Sequence, residues 1–199
     1  AEPLFEEALE IRKKVLGEDH PDFASSLYNL ALLNRINGKL LKADSMIQRV
    51  IAIRKKLLGI DHPDYASAIS GLGFTRSLRG LHQEAEQLYL QALEIRKNSL
   101  GVKSPDYSST LFDLAKLYSI TGQYDKSGAF AMLNCTAYLE KVGRSFAIFS
   151  ESEKRAYLEN NSDILRVNHS FLFNHRDHSP LYYLNNYNLQ LSLNSMVLS

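Results

Sequence analysis

The chain has 199 residues, 45% apolar and 23% charged, with 10 glycines and 5 prolines, a folding composition with enough length to bury a sizeable core. Its 23 Lys and Arg against 22 Asp and Glu leave a net charge of +1, so no bulk field recommends nucleic acid or an anionic membrane as partner. A single cysteine, Cys135, excludes an intramolecular disulfide framework and a cysteine-based zinc cluster, and no run of about 18 apolar residues is present to span a bilayer.

The opening segment, AEPLFEEALEIRKK, is acidic and then basic and lacks the apolar stretch of a secretory signal, which predicts a cytoplasmic chain. Its meaning comes from internal repetition. EIRKKVLGEDHPDF (10–23), AIRKKLLGIDHPDY (52–65) and EIRKNSLGVKSPDY (94–107) align at a spacing of 42 residues, twice, without a gap. The same ruler brings Gly38, Gly80 and Gly122 into register, as it does Leu30-Ala31, Leu72-Gly73 and Leu114-Ala115, and Ala43, Ala85 and Ser127. Carried backward, it sets Ala43 on Ala1, and Ile47 and Val50 on Phe5 and Ala8. Residues 1–20 therefore read as the second half of a repeat whose first helix is absent, and the chain as a fragment.

Each later unit (near 21–62, 63–104 and 105–142) predicts two helices. The first starts at Pro21, Pro63 or Pro105, where proline suits the opening turn and the following Asp meets the positive end of the helix dipole. Ser104 is a good N-cap, with His20 and His62 weaker ones in the same slot. Leu27, Leu30, Ala31 and Asn34 follow helical spacing, as do Ile69, Leu72, Gly73 and Arg76, and Gly38, Gly80 and Gly122 end the helix in left-handed backbone. The second helix spans roughly 40–57, 82–99 and 124–140; in the middle unit its stripe is Ala85, Leu88, Tyr89, Ala92, Leu93 and Ile95. Small residues at 31, 73 and 115, opposite Ala43 and Ala85, predict a close approach within each hairpin. Since no hairpin buries its stripe alone, consecutive hairpins must stack.

The register stops after about Val142, and residues 143–199 read as a non-repeat helical connector. Ser150 with Glu153 is a capping-box signature, followed by Ala156, Tyr157, Ile164 and Leu165 on an apolar side. A second helix is expected from Ser179-Pro180 onward. Residues 179–199 carry no charged side chain, which predicts a protein surface to cover them.

Several residues invite chemistry. His20-Pro-Asp22 and His62-Pro-Asp64 match a chaperone-stimulating tripeptide, but the third copy, Ser104-Pro-Asp106, marks them as repeat turns. His169, His175 and His178 lack a ligand set of recognised metal spacing. Cys135 has no nearby base to make it a nucleophile and falls in a helical stripe, so it reads as a core residue. Gly71-Leu-Gly73 does not open a phosphate loop. The triplets at Asn134, Asn160 and Asn168 read as chance matches to a glycosylation acceptor. The basic clusters Arg12-Lys13-Lys14, Arg54-Lys55-Lys56 and Arg96-Lys97 are either solvated helix ends or a stripe for an acidic partner. No cofactor, metal or catalytic residue is expected.

The segments LYNLALLNRINGKLLKAD, ISGLGFTRSLRGLHQEAE and LFDLAKLYSITGQYDKSG resemble tetratricopeptide repeats, in particular the 42-residue kind of kinesin light chains and many bacterial repeat proteins. That resemblance, over about residues 1–140, implies an all-α right-handed superhelix, a non-enzymatic protein-interaction scaffold whose first helices line a concave side for a peptide or protein. Asn29 matches the groove asparagine of such repeats, although Gly71 and Asp113 occupy the equivalent places. Ser25, Leu32, Ser67, Phe74, Phe112 and Lys116 are the other first-helix candidates. Ser150, Glu151, Glu153, Arg155, Tyr157, Leu158 and the Leu181–Leu198 run resemble the connector that joins repeat arrays to bacterial CHAT domains, which are caspase- and separase-like cysteine peptidases. This implies a sensing arm of such a protease, with a downstream CHAT-like domain packing on 179–199 and the catalytic His and Cys beyond Ser199. A free-standing peptide- or protein-binding adaptor is the alternative.

Overall fold

Each Pro-Asp pair does open a helix. In a computed structural model, which describes residues 2–146 together with 150, 152 and 153, the elements are α1 (Glu2–Leu16), α2 (Pro21–Ile36), α3 (Leu40–Leu58), α4 (Pro63–Leu78), α5 (His82–Leu100), α6 (Pro105–Ile120) and α7 (Tyr124–Phe146). Every element among the described residues is helical, and the array is all-α as the sequence predicts. The side chain of Cys135, the histidines at 169, 175 and 178, the stripe from Ala156 to Leu165, and the segment 179–199 lie outside the described residues.

The caps follow the repeat. His20 and His62 each accept, through Nδ1, the backbone N–H two residues on, at 3.1 and 3.0 Å, while the Ser104 hydroxyl accepts from the Tyr107 N–H at 3.1 Å. Imidazole thus replaces the usual capping oxygen and satisfies one donor of the first turn. At the far end Gly38, at φ +74°, lets Lys39 N–H reach back to the Asn34 carbonyl at 2.8 Å; Leu81 to Arg76 and Gln123 to Tyr118 repeat that closure. The tripeptide His-Pro-Asp is therefore a helix start in this chain. Ser150 and Glu153 form the expected box, with the Ser150 N–H on Glu153 Oε2 at 2.8 Å and the Glu153 N–H on Ser150 Oγ at 3.4 Å. The Ser150 hydroxyl bonds hold the Glu153 carboxyl below the ordinary carboxylate range.

The chain divides after Gly101 into two units, Ala1–Gly101 and Val102–Ser199. In the first, each helix from α1 to α5 packs on the next; in the second, α6 packs on α7. The core of the first unit is not partitioned hairpin by hairpin. Phe23, Ala24 and Leu27 of α2 meet Val50 and Ile53 of α3, together with Ala68 of α4, and Leu9 of α1 closes over them. Ala31 and Ile47 share a cluster with Leu72 of the following hairpin, and Ile51 of α3 packs against Tyr65, Ile69 and Ile95. Apolar area leaves water only when neighbouring hairpins are in place, at about 25 cal/mol per Å².

The small residues act as expected. Ala31, Ala43, Ala85 and Ala115 are fully buried. A Cβ on Gly73 would come within 3.2 Å of the buried Tyr89 ring and 3.3 Å of Leu88 Cβ, so glycine is what seats that aromatic in the α4–α5 hairpin. Ser127, in register with Ala43 and Ala85, is also buried and donates its hydroxyl to the Ala115 carbonyl at 2.7 Å. Asp44 of α3 is 4% exposed and accepts from Arg79 Nη1 at 2.5 Å and Arg76 Nε at 3.4 Å, while Arg76 also reaches Glu84 at 2.6 Å. This charged network fastens α3 to α4 across a hairpin boundary.

Candidate functional site

Positions 25, 29, 32 and 36 of α2 lie four, three and four residues apart and so share one face, as do 67, 71, 74 and 78 of α4 and 109, 113, 116 and 120 of α6. The outer end of this face is apolar in every copy: Ile36 is 78% exposed, Leu78 51% and Ile120 63%. Large aliphatic side chains are thus exposed at one recurring register position.

The two serines on this face serve their own helices. The Ser25 hydroxyl donates to the Pro21 carbonyl at 3.0 Å, and that of Ser67 donates to the Pro63 carbonyl at 3.0 Å and accepts from Arg96 Nη2 at 3.2 Å. Asn29 is exposed, and Leu32 and Phe74 are half-buried. Arg35 stacks its guanidinium 4.5 Å from the centroid of the Phe74 ring, joining the first helices of consecutive repeats, and its Nη1 lies 3.5 Å from the Gly71 carbonyl. In the second unit, Phe112 and Asp113 are half-buried, and the exposed Lys116 places its ammonium 5.3 Å over the Phe112 ring. Phe112 and Lys116 therefore meet, whereas Ser25 and Ser67 turn inward to helix carbonyls.

The glycine that interrupts the asparagine register has a cause. A Cβ on Gly71 would sit 2.4 Å from the Tyr28 hydroxyl and 3.1 Å from its ring. Tyr28 lies across α4 and donates to the Ser67 carbonyl at 3.1 Å, with the Arg54 guanidinium 5.0 Å from its ring centroid. Burial pushes the Tyr28 phenol above its ordinary ionisation range. Position 71 is thus given to packing between first helices, and only Asn29 retains an amide there.

Sequence reasoning passed over Arg35, Ile36 and Leu78. The ruler itself carries the signal, since Ile36, Leu78 and Ile120 each stand two residues before the helix-ending glycine. The arginines of the basic clusters are not simply solvated: Arg12 Nη1 donates to the Asp22 carbonyl at 3.0 Å and to Ser26 Oγ at 2.5 Å, and Arg54 Nη1 donates to the Asp64 carbonyl at 2.7 Å. They tie the end of α1 to the start of α2 and the end of α3 to the start of α4, whereas Arg96 reaches back to Ser67 of α4. Among the described residues no helix is long and apolar enough to cross a membrane, and no group of three or more His, Cys, Asp or Glu is placed to hold a metal ion.

In each unit, taken by itself, the first-helix face carries apolar, aromatic and cationic side chains. No curated protein matches the chain. Among solved structures, the nearly identical TPR-like repeats assigned to a kinesin light chain of Podosopora anserina superpose with a TM-score of 0.69 at 21% identity, covering 98% of this chain and 84% of that one. BtubC (BKLC) from P. vanneervenii superposes with a TM-score of 0.66 at 18% identity, covering 98% and 73%. At such identities the likeness carries the fold alone. The tetratricopeptide repeat family model matches residues 1–56, 22–98 and 64–130, so that the 42-residue ruler, the paired helices and the shared cores have one origin: the chain belongs to the tetratricopeptide repeat family, whose arrays are protein-interaction scaffolds.

Proposed function

We propose that the first-helix face binds a peptide or protein segment carrying apolar side chains, with Asn29, Leu32, Ile36, Phe74 and Leu78 as its contact row in the first unit and Phe112, Asp113 and Lys116 in the second. The repeat resemblance expects this face on the concave side of the array. The observation that carries the reading is the exposure of Ile36 and Leu78 on the same helical faces as Leu32 and Phe74. Ser25 and Ser67 flank the row and hold its helix starts. Arg35, stacked on Phe74, holds that ring in the row. Selection from a random peptide-display library on the 199-residue chain tests this. Enriched peptides should lose about 10-fold or more in affinity with Phe74→Ala or Leu32→Asp, and little with Leu90→Asp on a second helix. No enrichment, or equal loss with Leu90→Asp, would contradict the reading.

The finer proposal is that the array is the sensing arm of a bacterial, cytoplasmic CHAT-type cysteine peptidase, with residues 143–199 as connector and 179–199 packing on the protease. It is supported by the sequence resemblance of residues 150–198 and by the capping box at Ser150 and Glu153. The coding sequence beyond Ser199 decides it: a His and a Cys some tens of residues apart on strand-and-loop patterns favour the protease arm, and an immediate stop favours a free-standing adaptor.

A further inference from the structure

Asn37-Gly38 is the only Asn-Gly pair in the sequence, and it lies in the turn between α2 and α3. The register puts Arg79-Gly80 and Thr121-Gly122 in the same place, so ending the helix demands the glycine and leaves its neighbour free to vary. Asn37 and Gly38 are both exposed. Gly38 stands at φ +74°, and a Cβ built on it would meet nothing within 4 Å, so the bond between the two residues is open to solvent.

We propose that Asn37 is a site of spontaneous chemical modification, deamidation through a succinimide, and that the hairpin turn gates it. The Gly38 nitrogen gives its proton to a base in solution and bonds to Cγ of Asn37. The carboxamide C–N bond breaks, and ammonia leaves with a proton taken from water. A second water opens the ring at either carbonyl, leaving aspartate or isoaspartate at position 37. Glycine favours the attack because no Cβ shields its nitrogen.

The native turn holds the reacting atoms apart. Asn37 sits at ψ 6°, the Gly38 N–H donates to the Arg35 carbonyl at 3.0 Å, and the Lys39 N–H donates to the Asn34 carbonyl at 2.8 Å. Swinging the Gly38 nitrogen onto Cγ rotates that ψ and breaks both bonds, so the reaction passes through local opening of the turn. The isoaspartate product routes the main chain through an extra methylene between residues 37 and 38, which moves the Lys39 N–H off the Asn34 carbonyl. Either product also adds negative charge at the negative end of the α2 dipole, beside Ile36 of the proposed contact row.

Incubation of the folded 199-residue chain at mildly alkaline pH, followed by tryptic mapping, tests the proposal. The Ile36–Lys39 peptide should give two new products, each heavier by the exchange of NH2 for OH, with isoaspartate the more abundant. Unfolding the chain in guanidinium should speed their formation about 10-fold or more, as expected of a reaction limited by local opening. Asn37→Thr, which copies the third unit, should abolish both products and leave the far-ultraviolet dichroism unchanged. Hydrogen exchange at the Lys39 amide should quicken about 10-fold in the isoaspartate chain, and much less in Asn37→Asp, which adds the charge without lengthening the main chain. No product at 36–39 in the folded chain, equal rates in the folded and unfolded chains, or equal exchange in the isoaspartate chain and Asn37→Asp would each overturn the proposal.

Discussion

Position 71 shows how one residue is claimed by packing. In the ruler it matches Asn29, yet Gly71 is buried beneath Tyr28, whose hydroxyl leaves no room for a methyl group. Gly71→Ala gains about 1 kcal/mol of helix propensity but forces Tyr28 off its hydrogen bond to Ser67, for which overpacking costs of about 1–3 kcal/mol are usual. We expect net destabilisation in chemical denaturation, and a smaller penalty when the same change is made in Tyr28→Phe, which removes the atom that clashes first. Equal penalties in the two backgrounds would show that Tyr28 is not what holds glycine there. Nothing in the sequence names Tyr28 as the reason, because the contact joins helices 43 residues apart in the alignment of positions 28 and 71. The capping histidines were legible, since their slot is shared with Ser104.

The elements themselves were read almost completely, because proline, glycine and the small-residue pairs recur in register and each acts locally. Helix α7 continues to Phe146, past its expected end near 140 and past Val142, where the repeat register stops, since helical propensity needs no repeat to propagate. What spacing does not convey is the charged fastening between α3 and α4. Asp44 corresponds to Glu2, Glu86 and Gly128, and Arg76 to Asn34 and Tyr118, so an acidic residue recurs in the register but the arginine that answers Asp44 does not. Asp44→Ala takes the carboxylate from Arg79 and leaves Arg76 with Glu84 alone, the two side chains being 27% and 21% exposed. Because water reaches both, the cost should be about 1–3 kcal/mol and not the full price of an unpaired buried charge. Denaturant titration checks this; Asp44→Asn should recover part of the loss by retaining an acceptor, and no loss in either variant would contradict a role in joining the hairpins.

At the scale of the molecule, the shared cores explain why neighbouring hairpins of the first unit depend on one another. Clusters that mix α1 through α4, or α3 with α4 and α5, bury the apolar stripes against neighbouring hairpins, while Ile36 and Leu78 at the ends of first helices stay exposed. The fold class follows from the ruler and the first-helix location of the proposed site from the repeat resemblance, whereas the proposed contacts Ile36, Leu78 and the Arg35–Phe74 stack depended on knowing which faces neighbouring helices cover. Amide chemical-shift mapping of the 199-residue chain with a library-selected peptide tests the central claim most directly. The account predicts shifts concentrated at 29–36 and 71–78, with the Arg35 guanidinium signal moving alongside them; shifts confined to the second helices α3 and α5, with residues 29–36 unmoved, would contradict it.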